Sequence, residues 1–138
     1  MKPLSPLGRM LVAAAAAIAV MWLLGFLASV AAGPNGMLSA ASDSRTNPLY
    51  LLITAIAMCL GGGIAGKRFI GVALALMGLL WLATVLVLLQ VARPVQPDAL
   101  ARILSYNGLQ IALSMLAACA GAAVGAWLRM QRAATRPA

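Results

Sequence analysis

The sequence contains no histidine and only two acidic residues, Asp43 and Asp98. General acid–base catalysis and metal binding rely mainly on histidine and carboxylate side chains. A hydroxyl or thiol nucleophile would also lack a base beside it. We therefore expect a protein that is not an enzyme and that holds no metal and no cofactor.

Charged residues of any kind are scarce, at 9% of the chain, whereas 64% of the residues are hydrophobic. An ordinary soluble domain has about a quarter of its residues charged. A chain of 138 residues with this composition would leave much apolar surface exposed if it folded in water. The two cysteines, Cys59 and Cys119, lie inside apolar runs and are interpreted as small apolar residues. The composition therefore indicates a protein whose solvent is lipid.

Four apolar stretches are long enough to be transmembrane helices. A helix rises 1.5 Å per residue, so about 20 residues cross a hydrocarbon layer of ~30 Å. The spans are predicted at residues 10–32, 48–65, 69–92 and 106–128. The expected fold is all-α, an integral membrane four-helix bundle that forms a single domain over residues 1–138.

Polar and turn-forming segments separate these spans. Residues 33–47 open with Gly-Pro-Asn-Gly and are predicted to form an exposed outer loop. Residues 93–105 form the second outer loop, in which Asp98 is expected to cap a short helical turn at the membrane surface. The polar tail, residues 129–138, is predicted to be disordered.

Capping residues define the second span most sharply. Asn47 followed by Pro48 is typical of a helix start, because the Asn side chain accepts a hydrogen bond from a free backbone amide. Gly66 is expected close to the helix C-terminus. Since only residues 66–68 interrupt the apolar pattern, spans two and three are predicted to form a tight antiparallel hairpin.

The first span has an alternative interpretation as a secretory signal peptide. Its basic start and the small residues 28–33 fit that reading. A signal peptide, however, usually has an apolar region of only about 7 to 15 residues. The length of the run therefore favours a transmembrane helix.

The basic residues predict the orientation of the chain in the membrane. Seven of them flank the spans on one side, and three lie on the other side together with both aspartates, as the positive-inside rule requires. The seven are Lys2, Arg9, Lys67, Arg68, Arg129, Arg132 and Arg136, and the three are Arg45, Arg93 and Arg102. Both termini are therefore expected to be cytoplasmic, in a bacterial inner membrane.

These ten basic residues and the two aspartates give the chain a net charge of +8. A nucleic-acid surface would need basic residues interleaved with exposed aromatics, so no nucleic-acid partner is expected. One interpretation of the basic inner rim is that it holds anionic lipid headgroups, but orientation alone also accounts for it, so lipid contact is expected as a nonspecific consequence. The rim consists of Lys67, Arg68, Arg129, Arg132 and Arg136.

A shift of the sequence by 59 residues suggests an internal repeat. It aligns Trp22 with Trp81, Arg9 with Arg68, and a glycine of span two with one of span four. The chain would then consist of two repeated helical hairpins. Chance matches are the alternative in a chain so rich in Ala, Leu and Gly.

Small residues recur at four-residue intervals in spans two and four. Such stripes let helix backbones approach closely in lipid. The predicted helix-packing residues are Gly62, Gly66, Ala117, Gly121 and Gly125. Packing within the chain is favoured over a face for a second protein or a substrate.

A few polar side chains lie well inside the spans. Trp22 and Trp81 lie near the centres of spans one and three, where each indole N–H needs an acceptor. The candidate acceptors are Thr54, Thr84, Gln90, Gln110 and Ser114. Tryptophan rings that fill the bundle core are favoured over a polar pathway lined by these residues.

The expected function follows mainly from the absence of ionisable residues inside the spans. Ion-coupled transporters usually place such a residue within the membrane. We therefore expect a non-enzymatic accessory or assembly subunit, which packs against another membrane protein or against copies of itself and contacts membrane lipids. The alternative is a channel or carrier for a neutral small solute or a lipid, built by an oligomer.

Overall fold

The computed structural model describes residues 5–43, 46–94 and 97–135, with the backbone alone over residues 32–43. Within these ranges the chain is all-helical and has no strand. The elements are α1 (Pro6–Asp43), α2 (Pro48–Ala65), a 3₁₀ turn (Gly66–Arg68), α3 (Phe69–Ala92) and α4 (Ala99–Ala134). The predicted all-α class is confirmed.

Three continuous helical stretches are long and apolar enough to cross a membrane. They are Pro6–Ala31, Pro48–Ala92 and Ala99–Ala134, of which the second contains α2, the 3₁₀ turn and α3. By length and composition the chain is therefore a multi-pass membrane protein.

Helix α2 begins and ends at the residues that the capping pattern predicts. The side chain of Asn47 accepts a hydrogen bond from the backbone N–H of Tyr50 at 3.2 Å, and Pro48 is the first helical residue. At the other end Gly66 has φ 77° and ψ −157°, and its N–H donates to the carbonyl of Gly62. Only glycine adopts this backbone conformation readily, so the chain can leave α2 sharply at this position.

Helix α1 is longer than predicted, with 38 residues ending at Asp43. The prediction of a loop over residues 33–47 is therefore wrong for residues 33–43. The turn residues at 33–36 do not end the helix, because residues 37–41 (Met-Leu-Ser-Ala-Ala) favour helix. Extending an existing helix also needs no new nucleus.

Helix α4 is likewise longer than the predicted span at residues 106–128. The separate surface turn predicted before residue 106 is wrong, because no glycine or proline interrupts residues 99–107. Asp98 occupies the N-cap position, but its side chain makes no capping hydrogen bond. The disordered tail predicted at 129–138 is helical as far as Ala134, since residues 129–134 are good helix formers.

Helices α2 and α4 form the central pair, with α1 packed on α2 and α3 packed on α4. The buried core where they meet consists mostly of alanine and methionine, which lets the helices approach closely. Its members are Ala13, Ala17, Met58, Phe69, Ala73, Met77, Ala118 and Ala122.

Helix α3 runs back alongside α2 and α4 after the 3₁₀ turn. Phe69, its first residue, lies against Gly61 near the end of α2. Leu80, further along α3, packs against a cluster that contains Ile53 and Ala57 of α2 together with Met21 of α1. The direction of the chain therefore reverses at Gly66–Arg68.

Candidate functional site

The backbones of α2 and α4 lie in direct contact. A Cβ atom built on Gly121 would overlap the carbonyl oxygen of Ala55, and one built on Gly125 would overlap that of Cys59. Both glycines are buried. Two predicted packing residues therefore lie where only glycine allows the observed separation.

The other three predicted packing residues differ in their surroundings. Gly62 lies directly against the carbonyl of Ala122, so it belongs to the same contact. Gly66 ends α2, and a Cβ atom there would lie 3.3 Å from Nη1 of Arg129. Ala117 is only half-buried, whereas its neighbour Ala118 is fully buried. At this end of the row of small buried residues in α4, the inward-facing residue is therefore Ala118 and not the predicted Ala117.

Trp81 and Ser114 form a polar contact between α3 and α4. The indole Nε1 of Trp81 donates to Oγ of Ser114 at 2.6 Å, and Ser114 donates in turn to the carbonyl of Ile111 at 2.8 Å. Ser114 is completely buried. Trp81 is partly buried against the core, and its indole N–H has a hydrogen-bond acceptor in Ser114, one of the predicted candidates.

Trp22 does not share that environment, since 73% of its surface is exposed. The prediction that it fills the core is wrong. The face of α1 that packs inward carries Ala13, Ala17 and Met21 at four-residue spacing. A helix turns by about 100° per residue, so Trp22 lies outside that stripe.

Gln110 joins α4 to the start of α2. Its Oε1 accepts a hydrogen bond from the backbone N–H of Asn47 at 3.0 Å, and the side chain is only 9% exposed. The first amides of a helix have no partner within the helix. Gln110 therefore supplies an acceptor from a second helix, a role that no spacing rule in the sequence indicates.

The remaining polar candidates do not meet in one place. The hydroxyls of Thr54 and Thr84 each donate to a carbonyl of their own helix, those of Tyr50 and Leu80, both at 2.8 Å. Gln90 is exposed. Four of the five predicted polar residues thus serve local or helix–helix hydrogen bonds, and the structure does not bring the five together as a pathway.

Three arginines lie together at the opposite end of the helices from Gln110, and two of them, Arg68 and Arg129, belong to the basic inner rim for which the sequence predicts nonspecific lipid contact. Nη1 of Arg129 donates to the carbonyl of Ile64, in the last turn of α2, at 2.7 Å. Arg129 also lines a cavity of about 400 Å³ together with Arg9 and Arg68. The feature of the sequence that indicates this cluster is a basic residue at the same predicted end of three different segments.

Two other crevices lie on the surface of the bundle. One, of about 560 Å³, lies between α2 and α4 and is lined by Leu60, Gly63, Leu128, Arg129 and Arg132 among others. The second, of about 440 Å³, lies between α1 and α3 and includes Trp22, Phe26, Tyr50 and Thr84. Both combine apolar walls with few polar groups, which suits hydrocarbon chains better than polar solutes.

No family model matches the chain, and no curated protein and no solved structure is significantly similar to it. The features of the structure that bear on function are the α2–α4 contact, the paired polar side chains and the arginines at one end.

We expect Gly121→Ala and Gly125→Ala to destabilise the protein. Each added methyl group overlaps a backbone carbonyl, which cannot move without displacing α2. Overpacking of this kind costs about 1–3 kcal/mol. Thermal or denaturant unfolding in detergent measures the effect.

The matched control is Gly108→Ala, in the same helix, where nothing lies within 4 Å of the added carbon. This substitution should leave stability unchanged or raise it by up to about 1 kcal/mol, because Ala is the better helix former. Equal stability changes at positions 108, 121 and 125 would show that the α2–α4 contact is not as close as described.

Proposed function

We propose that the protein is a non-enzymatic accessory or assembly subunit of the membrane, whose role is to pack against another membrane protein or against a second copy of itself. The observation that supports this proposal is the large unburied surface of helix α3. Only Phe69, Ala73 and Met77 are buried among its 24 residues, and none of the 24 is charged. Most of its surface is therefore available to another apolar helix.

The exposed side of α3 offers a surface for close helix packing. Gly71 and Ala75 are both exposed at four-residue spacing, and nothing lies within 4 Å of a Cβ atom built on Gly71. In lipid, small residues at this spacing favour association because they let two backbones approach. By contrast, Gly62, Gly121 and Gly125 already lie in the contact between α2 and α4. They therefore stabilise the fold of the chain and are not available to a partner.

We further propose that the chain crosses a bacterial inner membrane four times, as a four-helix bundle with both termini in the cytoplasm. The reversal at Gly66–Arg68 supports two crossings within Pro48–Ala92. Helix α2, with 18 residues, is about 27 Å long and matches the hydrocarbon layer. Arg9, Arg68 and Arg129 lie at one end of the bundle, in agreement with the positive-inside rule.

The proposed bundle consists of two repeated hairpins, α1–α2 and α3–α4. The shift of 59 residues that pairs Arg9 with Arg68 also relates α1 to α3 and α2 to α4. The packing supports this relation, since α1 lies on α2, α3 lies on α4, and α2 meets α4 at the centre. Trp22 and Trp81 differ in exposure, so the two halves would have diverged at that position.

A carrier for a lipid or neutral solute is the second candidate function. The crevice of about 560 Å³ between α2 and α4 favours it, and Gly63 and Gly125 are among its lining residues. Its apolar lining suits an acyl chain. The polar residues proposed to assist, Gln90 and Gln110, give no support, since one is exposed on the surface and the other caps α2.

Cysteine accessibility tests the proposed topology. In a background with Cys59→Ala and Cys119→Ala, we expect Ser42→Cys to react with an impermeant maleimide added outside intact cells. Thr135→Cys should react only after the inner face is exposed. The reverse labelling pattern, or labelling of both positions from the same side, would contradict four crossings with cytoplasmic termini.

Co-purification tests the accessory role. The wild-type chain, extracted in a gentle detergent, is expected to carry a stoichiometric membrane protein or to run as a homodimer. Gly71→Leu should abolish the association, because the larger side chain blocks the close approach. Gly25→Leu is the matched control, since Gly25 in α1 is also exposed and free of neighbours within 4 Å.

Two results would count against the accessory role. The first is a wild-type chain that is monomeric and without a partner in every mild extraction. The second is movement of a solute or lipid by the pure protein in liposomes at rates above those of empty vesicles, which would favour the carrier.

A further inference from the structure

We propose that the end of the bundle formed by the start of α1, the 3₁₀ turn and the end of α4 is a binding site for the phosphate of an anionic phospholipid. A cavity of about 400 Å³ lies between these segments. Its lining consists of Pro6, Arg9, Met10, Ala65, Arg68 and Arg129. We call it the arginine cavity.

Three separate segments each contribute one cation to the arginine cavity. Arg9 comes from the first turn of α1, Arg68 from the 3₁₀ turn and Arg129 from α4. Guanidinium groups offer forked N–H donors that match the oxygens of a phosphate. Three such groups around one space provide more donors than a surface lysine would.

The acidic residues of the chain are too distant to neutralise this charge. Asp43 ends α1, which begins at Pro6, and Asp98 precedes α4, which carries Arg129 near its other end. At 1.5 Å per residue, Asp98 and Arg129 are separated by about 46 Å of helix. The arginine cavity therefore keeps its positive charge for an external anion.

The backbone holds one of the three arginines in place. Nη1 of Arg129 donates to the carbonyl of Ile64 at 2.7 Å. This bond satisfies a carbonyl in the last turn of α2, and it leaves other N–H donors of the guanidinium free. The N-terminus of α1 at Pro6 adds the positive end of a helix dipole beside the same cavity.

Apolar surfaces beside the arginines favour a lipid over a free anion. Met10 and Ala65 line the arginine cavity itself. Arg129 also lines the neighbouring crevice, whose walls include Leu60 and Leu128. Arg129 thus lines both the arginine cavity and the neighbouring crevice with apolar walls, as a headgroup with its acyl chain requires.

The inference rests on the proposed membrane placement and not on the accessory role. It also differs from nonspecific attraction to a charged surface, which would involve every cation at this end equally. Lys67 allows the distinction, because it is exposed and adjacent to Arg68 but lines neither cavity.

The test is native mass spectrometry of the delipidated full chain in detergent, titrated with phosphatidylglycerol or with phosphatidylcholine. We expect saturable binding of phosphatidylglycerol that phosphatidylcholine does not match. Arg68→Gln and Arg9→Gln should each weaken it about fivefold, as expected for about 1 kcal/mol per cation. Lys67→Gln, which removes the same charge from the next position, should leave it unchanged.

Three outcomes would overturn the proposal. Equal weakening by Lys67→Gln and Arg68→Gln would show nonspecific attraction. Equal binding of the two lipids would show that the anionic headgroup is not recognised. Displacement of phosphatidylglycerol by millimolar inorganic phosphate would show that the phosphate group alone accounts for the affinity and that the apolar walls do not select a lipid.

Because binding is measured in detergent, it does not depend on the sidedness of the membrane or on a protein partner. A chain with reversed topology, or without a partner, would still give a clear answer in this assay. Loss of lipid binding and failure of the accessory role are therefore separate results.

Discussion

Backbone contact between α2 and α4 is the interaction on which the rest of the packing depends. Lipid chains are as apolar as leucine, so helices in a membrane gain little from the hydrophobic effect when they associate. Their attraction comes from close van der Waals packing and from a few hydrogen bonds. At Gly62, Gly121 and Gly125 the two backbones meet with no side chain between them, and α1 and α3 then pack against this pair.

Hydrogen bonds at the two ends of the central pair fix its register. The start of α2 is bonded to Gln110, and the end of α2 is bonded to Arg129. Membrane hydrogen bonds are individually weak, averaging ~0.6 kcal/mol in one well-studied case, so they add little to stability. Their effect is geometric. Helices α2 and α4 run in the same direction, and the two bonds together fix the position of one helix along the axis of the other. The same offset places Arg129 beside Ile64 and the arginine cavity.

The sequence predicted some parts of this structure well, for identifiable reasons. The limits of α2 follow from Asn47, Pro48 and Gly66, whose capping roles are local. The small-residue spacing located the contact face of α4 to within one residue. It failed at Ala117, because spacing alone does not say which of two adjacent alanines faces inward.

Other features could not be predicted because lipid and protein core are both apolar. A helix in this chain carries hydrophobic residues all round, so periodicity does not reveal its buried side. Trp22 and Trp81 occupy similar places in their spans, yet only Trp81 faces an acceptor, Ser114. The convergence of three arginines depends on how the helix ends meet, which no segment specifies by itself.

Solid-state NMR in lipid bilayers tests the α2–α4 contact most directly. In a chain labelled with ¹³C and diluted with unlabelled chains, we predict a cross-peak between the Cα of Gly125 and the carbonyl carbon of Cys59. Dilution removes cross-peaks between different molecules. The Gly125–Cys59 contact lies within one molecule, so its cross-peak should persist. Its absence, or its loss on dilution, would contradict a bundle built around these two helices.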